Sequence, residues 1–199
     1  MVLLAGVEIL LGRCSGQEDF TIGTAYSKRD RIELEPIVGF FVNSLVLRAD
    51  LSRNPTFREL LVRVRACVLN AYSHSDVSFH RVVAALKQGR ELNNSPLFQV
   101  MFAFDNTPHE ELYLDSLSIE RLPPEVTRAV FDLAFGLSES REGIHGSIAY
   151  ATDLFERETI EQLATQYTAL LWAAVADPGR RIQDLPLSTG IEAAKTSSG

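Results

Sequence analysis

Residues 40–47 read Phe-Phe-Val-Asn-Ser-Leu-Val-Leu. Apolar side chains fall on both parities of this run, where a half-buried strand would alternate. The pattern predicts a strand at a central position in a sheet that is covered on both sides. Two polar residues, Asn43 and Ser44, interrupt it. A buried amide without partners costs about 1–3 kcal/mol. Asn43 therefore either bonds to a neighbouring loop or faces a solvent-filled channel or substrate path, and the pattern leaves both open.

Before this strand, residues 2–12 are apolar nearly all round, with Leu3, Leu4, Val7, Leu10 and Leu11 at helical spacing. Such a helix needs cover on several sides. The opening MVLLAGVEILLGR lacks a basic stretch, and Glu8 breaks its apolar run, so it reads as an ordinary helix and not as a signal peptide. Ser15-Gly16-Gln17 is a turn, residues 20–25 a strand carrying Gly23, and residues 26–36 a charged loop.

After residue 47, Pro55 suits the first position of a helix. Phe57, Leu60, Leu61, Val64, Val68 and Ala71 form its apolar stripe, and Glu59 precedes Arg63 by four residues, the favourable order for an ion pair. A short helix follows at 78–88, capped by Asp76 or Ser78 and stopped by Gly89. Phe98, Val100, Phe102 and Phe104 share one strand face; residues 105–111 are a surface turn, and residues 117–122 a strand ended by Pro123-Pro124. Phe131, Leu133, Phe135 and Leu137 alternate again, Arg141-Glu142-Gly143 is a hairpin turn, and Ile144, Gly146, Ile148 and Tyr150 belong to the return strand. The last helix spans about 156–176, and Asp177-Pro178-Gly179 stops it. No internal repeat is visible. This order predicts a mixed α+β layered sandwich, a central sheet flanked by helices.

The 199 residues allow roughly one domain. With 46% hydrophobic and 9% aromatic residues, disorder is excluded. A net charge of −7 argues against broad binding to nucleic acid or an anionic membrane, because phosphates would go unneutralised. No stretch approaches the ~18 apolar residues of a membrane-spanning helix. Two cysteines, Cys14 and Cys67, exclude a disulfide scaffold and a cysteine-rich zinc site, and they point to a reducing, cytoplasmic compartment.

No complete catalytic set is present. His74, His80, His109 and His145 show no metal-ligand spacing. His74-Ser75-Asp76 brings triad residue types together, but neighbours in sequence cannot converge as a triad does, so it reads as a loop and helix cap. His80 and His145 read as solvated or structural, and Glu110-Glu111 as a solvated turn. Asn93-Asn94-Ser95 matches a glycosylation sequence, which means little without a signal peptide. Nucleotide-cradling and nucleophile-elbow motifs are absent.

Compared with known families, the motifs acquire an order. Arg13-Cys14-Ser15-Gly16-Gln17-Glu18-Asp19-Phe20, followed by Ile22-Gly23-Thr24, resembles the RYSGQEDxxxGTP region of nonribosomal peptide synthetase condensation domains, with Ala25 in place of Pro. Residues 39–45, GFFVNSL, resemble GxFVNT, with Ser44 for Thr. Residues 74–79, HSDVSF, resemble HQDxPFE, with Ser75 for Gln, Ser78 for Pro and His80 for Glu. Residues 90–99, RELNNSPLFQ, resemble RDxSRNPLFQ, with Asn94 for Arg. Phe131-Asp132-Leu133 and residues 150–155, YATDLF, also fit, and residues 184–188, DLPLS, resemble the start of a linker to an adenylation domain. FQVMFAF argues for condensation over the related epimerization domains.

The resemblance covers about residues 3–189. It implies the C-terminal subdomain of a condensation domain, with the chloramphenicol acetyltransferase-like fold. Residues 1–189 would be this half, incomplete at its N-terminus, and residues 190–199 a flexible tail or linker start. The family's catalytic HHxxxDG belongs to the other half, and no His-His pair occurs here. The full domain would join an acyl donor to an amine acceptor, both held as thioesters on phosphopantetheine arms of carrier proteins. This half would bind no cofactor itself and would be inactive alone. Its implied partners are the N-terminal half, carrier proteins and a following adenylation domain, with no nucleic acid and no membrane. Asn43, with Ser44 beside it, is the expected polar contact on the substrate-tunnel wall. Two other readings stay open: a non-catalytic module that docks a carrier protein or partner enzyme, and one half of a split enzyme.

Overall fold

The computed structural model describes residues 1–29, 31–86, 97–105, 129–140 and 143–187. Five strands build one sheet in the order β2-β1-β3-β4-β5. They are β1 (Asp19–Ser27), β2 (Val42–Asp50), β3 (Val100–Asp105), β4 (Leu133–Ser140) and β5 (Gly143–Tyr150). The outer pairs β1–β2 and β4–β5 are antiparallel, and β3 lies parallel to both β1 and β4. Among the described residues four α-helices accompany the sheet: α1 (Val2–Ser15), α2 (Phe57–Ser73), α3 (Phe79–Ala85) and α4 (Arg157–Ala176). The expected mixed α/β layering is present.

The core lies between one sheet face and α1, α2 and α4. Ile22, Leu47, Phe102, Leu133, Phe135 and Leu137 meet Val7, Leu10, Leu60, Val64, Leu163 and Leu170 there. The helix α1 is buried nearly all round, as its composition requires. Gly6 lets it approach α4 closely: a Cβ at this position would lie 2.6 Å from Cδ2 of Leu171. Beside that contact the Tyr167 hydroxyl donates to the Leu3 carbonyl at 2.9 Å.

Three local expectations are corrected. First, among the described strands β2 stands at the sheet edge, and it begins only at Val42. Its buried residues, Leu45, Leu47 and Ala49, all fall on one parity, so only one face is packed. Phe40, which gave the run its two-faced look, precedes the strand and is 89% exposed. Second, Pro55 stands just outside α2. Thr56 is the N-cap: its hydroxyl accepts from the Glu59 N–H, and the Glu59 carboxylate accepts from the Thr56 N–H at 2.8 Å, a capping box. Third, Glu59 is spent on that cap, so Arg63 turns elsewhere. It donates to the Asp50 and Ser52 carbonyls, both at 3.0 Å.

The hairpin forms as expected, with Ser140 opposite Gly143, whose φ of 129° favours glycine. Among the described residues no helix is long and apolar enough to cross a membrane. Gly89, residues 93–95, residues 106–111, residues 117–124, Arg141-Glu142 and residues 190–199 lie outside the described residues.

Candidate functional site

Residues 74–78 join α2 to α3 beside the start of β2 and the end of β1. Asn43, near the start of β2, sits at this junction. Its Nδ2 donates to the carbonyls of Ser75 (2.9 Å) and Val77 (3.0 Å), and its Oδ1 accepts from the Phe79 N–H at 3.3 Å. Both amide protons and one lone pair are thereby used. Phe79 is the first residue of α3, where a backbone N–H has no intrahelical acceptor. Ser78 is the N-cap but makes no side-chain cap bond. The cap expected from Asp76 or Ser78 is instead supplied by Asn43, from a strand more than thirty residues earlier.

Of the two openings left for Asn43, the structure shows the bond to a neighbouring loop. Ser44 pairs with Ala25 and is half-buried on the opposite parity. The two residues are adjacent in sequence but point to different faces of the sheet.

Past the clamp, Phe79 packs on Phe98 and Phe98 on Phe131, each with ring centroids 5.5 Å apart. Phe98 lies over Gly23, where a Cβ would come within 2.1 Å of its ring. Gly23 makes room for an aromatic ring without adopting an unusual φ. A glycine inside a strand signals such a close approach, but the sequence could not say which ring would arrive. On the loop before β2, Arg29 donates to the Glu35 carbonyl at 2.9 Å, and its guanidinium lies 4.4 Å from the centre of the Phe41 ring. Val38, 99% exposed, and Phe40 project from this pinned loop.

Among the described residues the histidines do not converge. His74 Nδ1 lies 2.9 Å from the Asn70 carbonyl and 3.0 Å from Ser73 Oγ, at the end of its own helix. Asp76 faces Lys28 at 3.8 Å. His145 Nε2 lies 2.9 Å from Ser140 Oγ across the hairpin. Among the described residues no group of three His, Cys, Asp or Glu could hold a metal. Burial pushes the thiol pKa values of Cys14 and Cys67 up, away from nucleophilic chemistry. The sequence marks Glu8 only as a break in an apolar run and says nothing of its burial. Glu8 of α1 is 3% exposed, and burial pushes its carboxyl up to about 8.

Comparison with known proteins gives the arrangement a context. The family model described as "Condensation domain" matches residues 1–195. A linear gramicidin synthase polypeptide of Brevibacillus parabrevis is 41% identical over 96% of this chain, which spans 4% of that protein. The X-domain of teicoplanin biosynthesis, solved in complex with OxyB, superposes with a TM-score of 0.84 at 34% identity over 96% of this chain and 42% of its own. The condensation domain of the monacolin K polyketide synthase MokA superposes with a TM-score of 0.80 at 23% identity, over 91% of this chain and 42% of its own, a likeness of fold. The chain thus spans less than half of the solved domains and a small part of the synthase.

Proposed function

This chain belongs to the condensation-domain family, and from that premise we propose that it is part of an amide-forming unit of a nonribosomal peptide synthetase. An amine on one carrier protein attacks the thioester carbonyl on another. A C–N bond forms, the C–S bond breaks, and the phosphopantetheine thiol leaves with the proton that the amine gives up. The observation that carries the reading is the family match over residues 1–195, alongside a synthase 41% identical.

The role assigned to these residues is positioning, which is a large catalytic term. Asn43 acts through the loop it holds: the clamp fixes residues 74–79 and thereby Phe79, Phe98 and the surface they build. Ser44, on the other parity, keeps a hydroxyl for the tunnel wall. With no His-His pair in the chain, the proton-transferring group comes from the rest of the condensation domain. The exposed Val38 and Phe40 support a packing partner beside β2. Carrier proteins and an adenylation domain after residues 190–199 complete the set of partners. No resident cofactor is needed, and free thiols at Cys14 and Cys67 suit a reducing cytoplasm.

The test loads a donor and an acceptor carrier protein with aminoacyl-phosphopantetheine and follows peptide on the acceptor by mass spectrometry. The chain alone should give none, and the condensation domain containing it should give product. A complete, folded domain that yields no amide on either carrier sinks the proposal.

A second reading draws on the teicoplanin X-domain, which was solved as a complex with OxyB. In this reading the chain is part of a docking module without turnover. Capture of a partner enzyme by a domain that forms no amide would favour it.

A further inference from the structure

At the sheet edge opposite β2, α4 and β5 enclose an open groove of about 850 Å³. Val2, Ile144, Ile148, Leu171, Trp172 and Val175 are among the residues that line it. Several of these are bare: Ile144 is 57% exposed, Val175 56% and Trp172 74%. Most polar side chains that line it are already occupied. Glu161 accepts from Arg157 Nε at 2.7 Å, and His145 is tied to Ser140. Such a surface suits a neutral apolar occupant better than a charged ligand.

We propose that this groove is the seat of an apolar segment from the part of the condensation domain that lies outside these residues. The inference rests on the family reading and adds the surface at which that polypeptide docks. Two observations select this occupant over others. The solved neighbours carry more than half of their polypeptide beyond the region that this chain matches. The first turn of α1, through Val2, is itself a groove wall, so polypeptide joined to α1 in a longer domain enters beside the groove. A segment seated there covers Trp172 and Ile144 together, and it closes the β5 edge.

The sequence contains one tryptophan, Trp172, which serves as the reporter. Residues 1–195 replace their counterpart in the matched condensation domain of the linear gramicidin synthase, with every other tryptophan changed to phenylalanine. A second arm adds the remainder of that domain as a separate polypeptide to the 199-residue chain. Acrylamide should quench Trp172 freely in the chain by itself. Quenching should fall several-fold, with a blue-shifted emission, in the chimera or in the mixture. Thr168→Arg, on the exposed groove wall, should lower the melting temperature of the chimera by several degrees and leave that of the chain unchanged. Quenching that stays high in both arms overturns the proposal. So does protection that arises in the chain alone as its concentration rises, which assigns the groove to a second copy. Amide formation assayed on the same samples separates the two claims. Product with Trp172 still exposed defeats the groove and leaves the function standing, and a protected Trp172 without product does the reverse.

Discussion

The two edge strands, β2 and β5, are finished differently. At β2 the chain supplies partners of its own: Asn43 ties the α2–α3 loop down with three hydrogen bonds, and Arg48 near the other end makes a two-pronged pair with Asp19 of β1. At β5 the first five residues are exposed and an apolar groove lies open beside them. The start of β2 is held by polar bonds to partners within the chain, while Val38 and Phe40 just before it stay bare. An edge left apolar and open is one whose partner comes from elsewhere.

The largest expected effect comes from neither edge, and it calibrates both. Glu8 shows what burying an ionisable group costs in this core. Its folded carboxyl keeps its proton up to about pH 8, whereas an unfolded one loses it near 4.5. The folded state therefore binds more protons between those values, and stability falls as pH rises through that window. Denaturant unfolding should show a loss of roughly 3 kcal/mol between pH 5 and 8, and Glu8→Gln should flatten it. Equal pH slopes for both proteins would mean that Glu8 is not buried as described.

Next comes the closed edge. Asn43→Ala removes two donors and an acceptor and should cost about 2 kcal/mol, whereas Ser44→Ala should stay within ~0.5 kcal/mol. If the two neighbours cost the same, the clamp is not what closes β2. Beyond the strand, Thr56→Ala dismantles the capping box of α2 and should lower stability by about 1 kcal/mol, readable as a shift in the denaturant midpoint. The smallest effect belongs to the open edge: Trp172→Ala should change the stability of the chain by itself by less than ~0.5 kcal/mol. A loss near that of Asn43→Ala would show that β5 is already closed, and the contrast between the edges would disappear.

Much of this fold is legible in the sequence, and the failures share a cause. The helix α4 carries Ile160, Leu163, Tyr167, Leu170, Leu171 and Ala174 on one face, and the structure buries all of them but Leu171, which is half-buried. The hairpin was equally plain from its alternation and its turn glycine. Residues 40–47 misled because an apolar side chain records that a surface is covered or waiting to be covered, not which. Phe40 and Val42 look like core, yet in this chain both are exposed. Pairings were missed where one group had two partners within reach: Glu59 could serve Arg63 or Thr56, and the nearer backbone N–H won. Asn43 could be flagged, because an amide in an apolar run must find partners. Those partners, around Ser75 to Phe79, are invisible until the chain turns the corner. Glu8 was noticed as an interruption, but its burial depends on α1 being enclosed on several sides by elements far along the chain.

That enclosure has a consequence for the order in which a ribosome delivers the chain. Leu3 and Tyr167 are 164 positions apart, and Gly6 meets Leu171. Of the described helices α1 leaves the ribosome before the others, yet α4, which packs against it, follows after all of them. At the ~5–20 residues per second of synthesis, the side of α1 that meets α4 waits on the order of ten seconds or more uncovered. The α1–α4 contact of this fold is thus one that forms late, and until then the α1 face that meets α4 is a surface for chaperones.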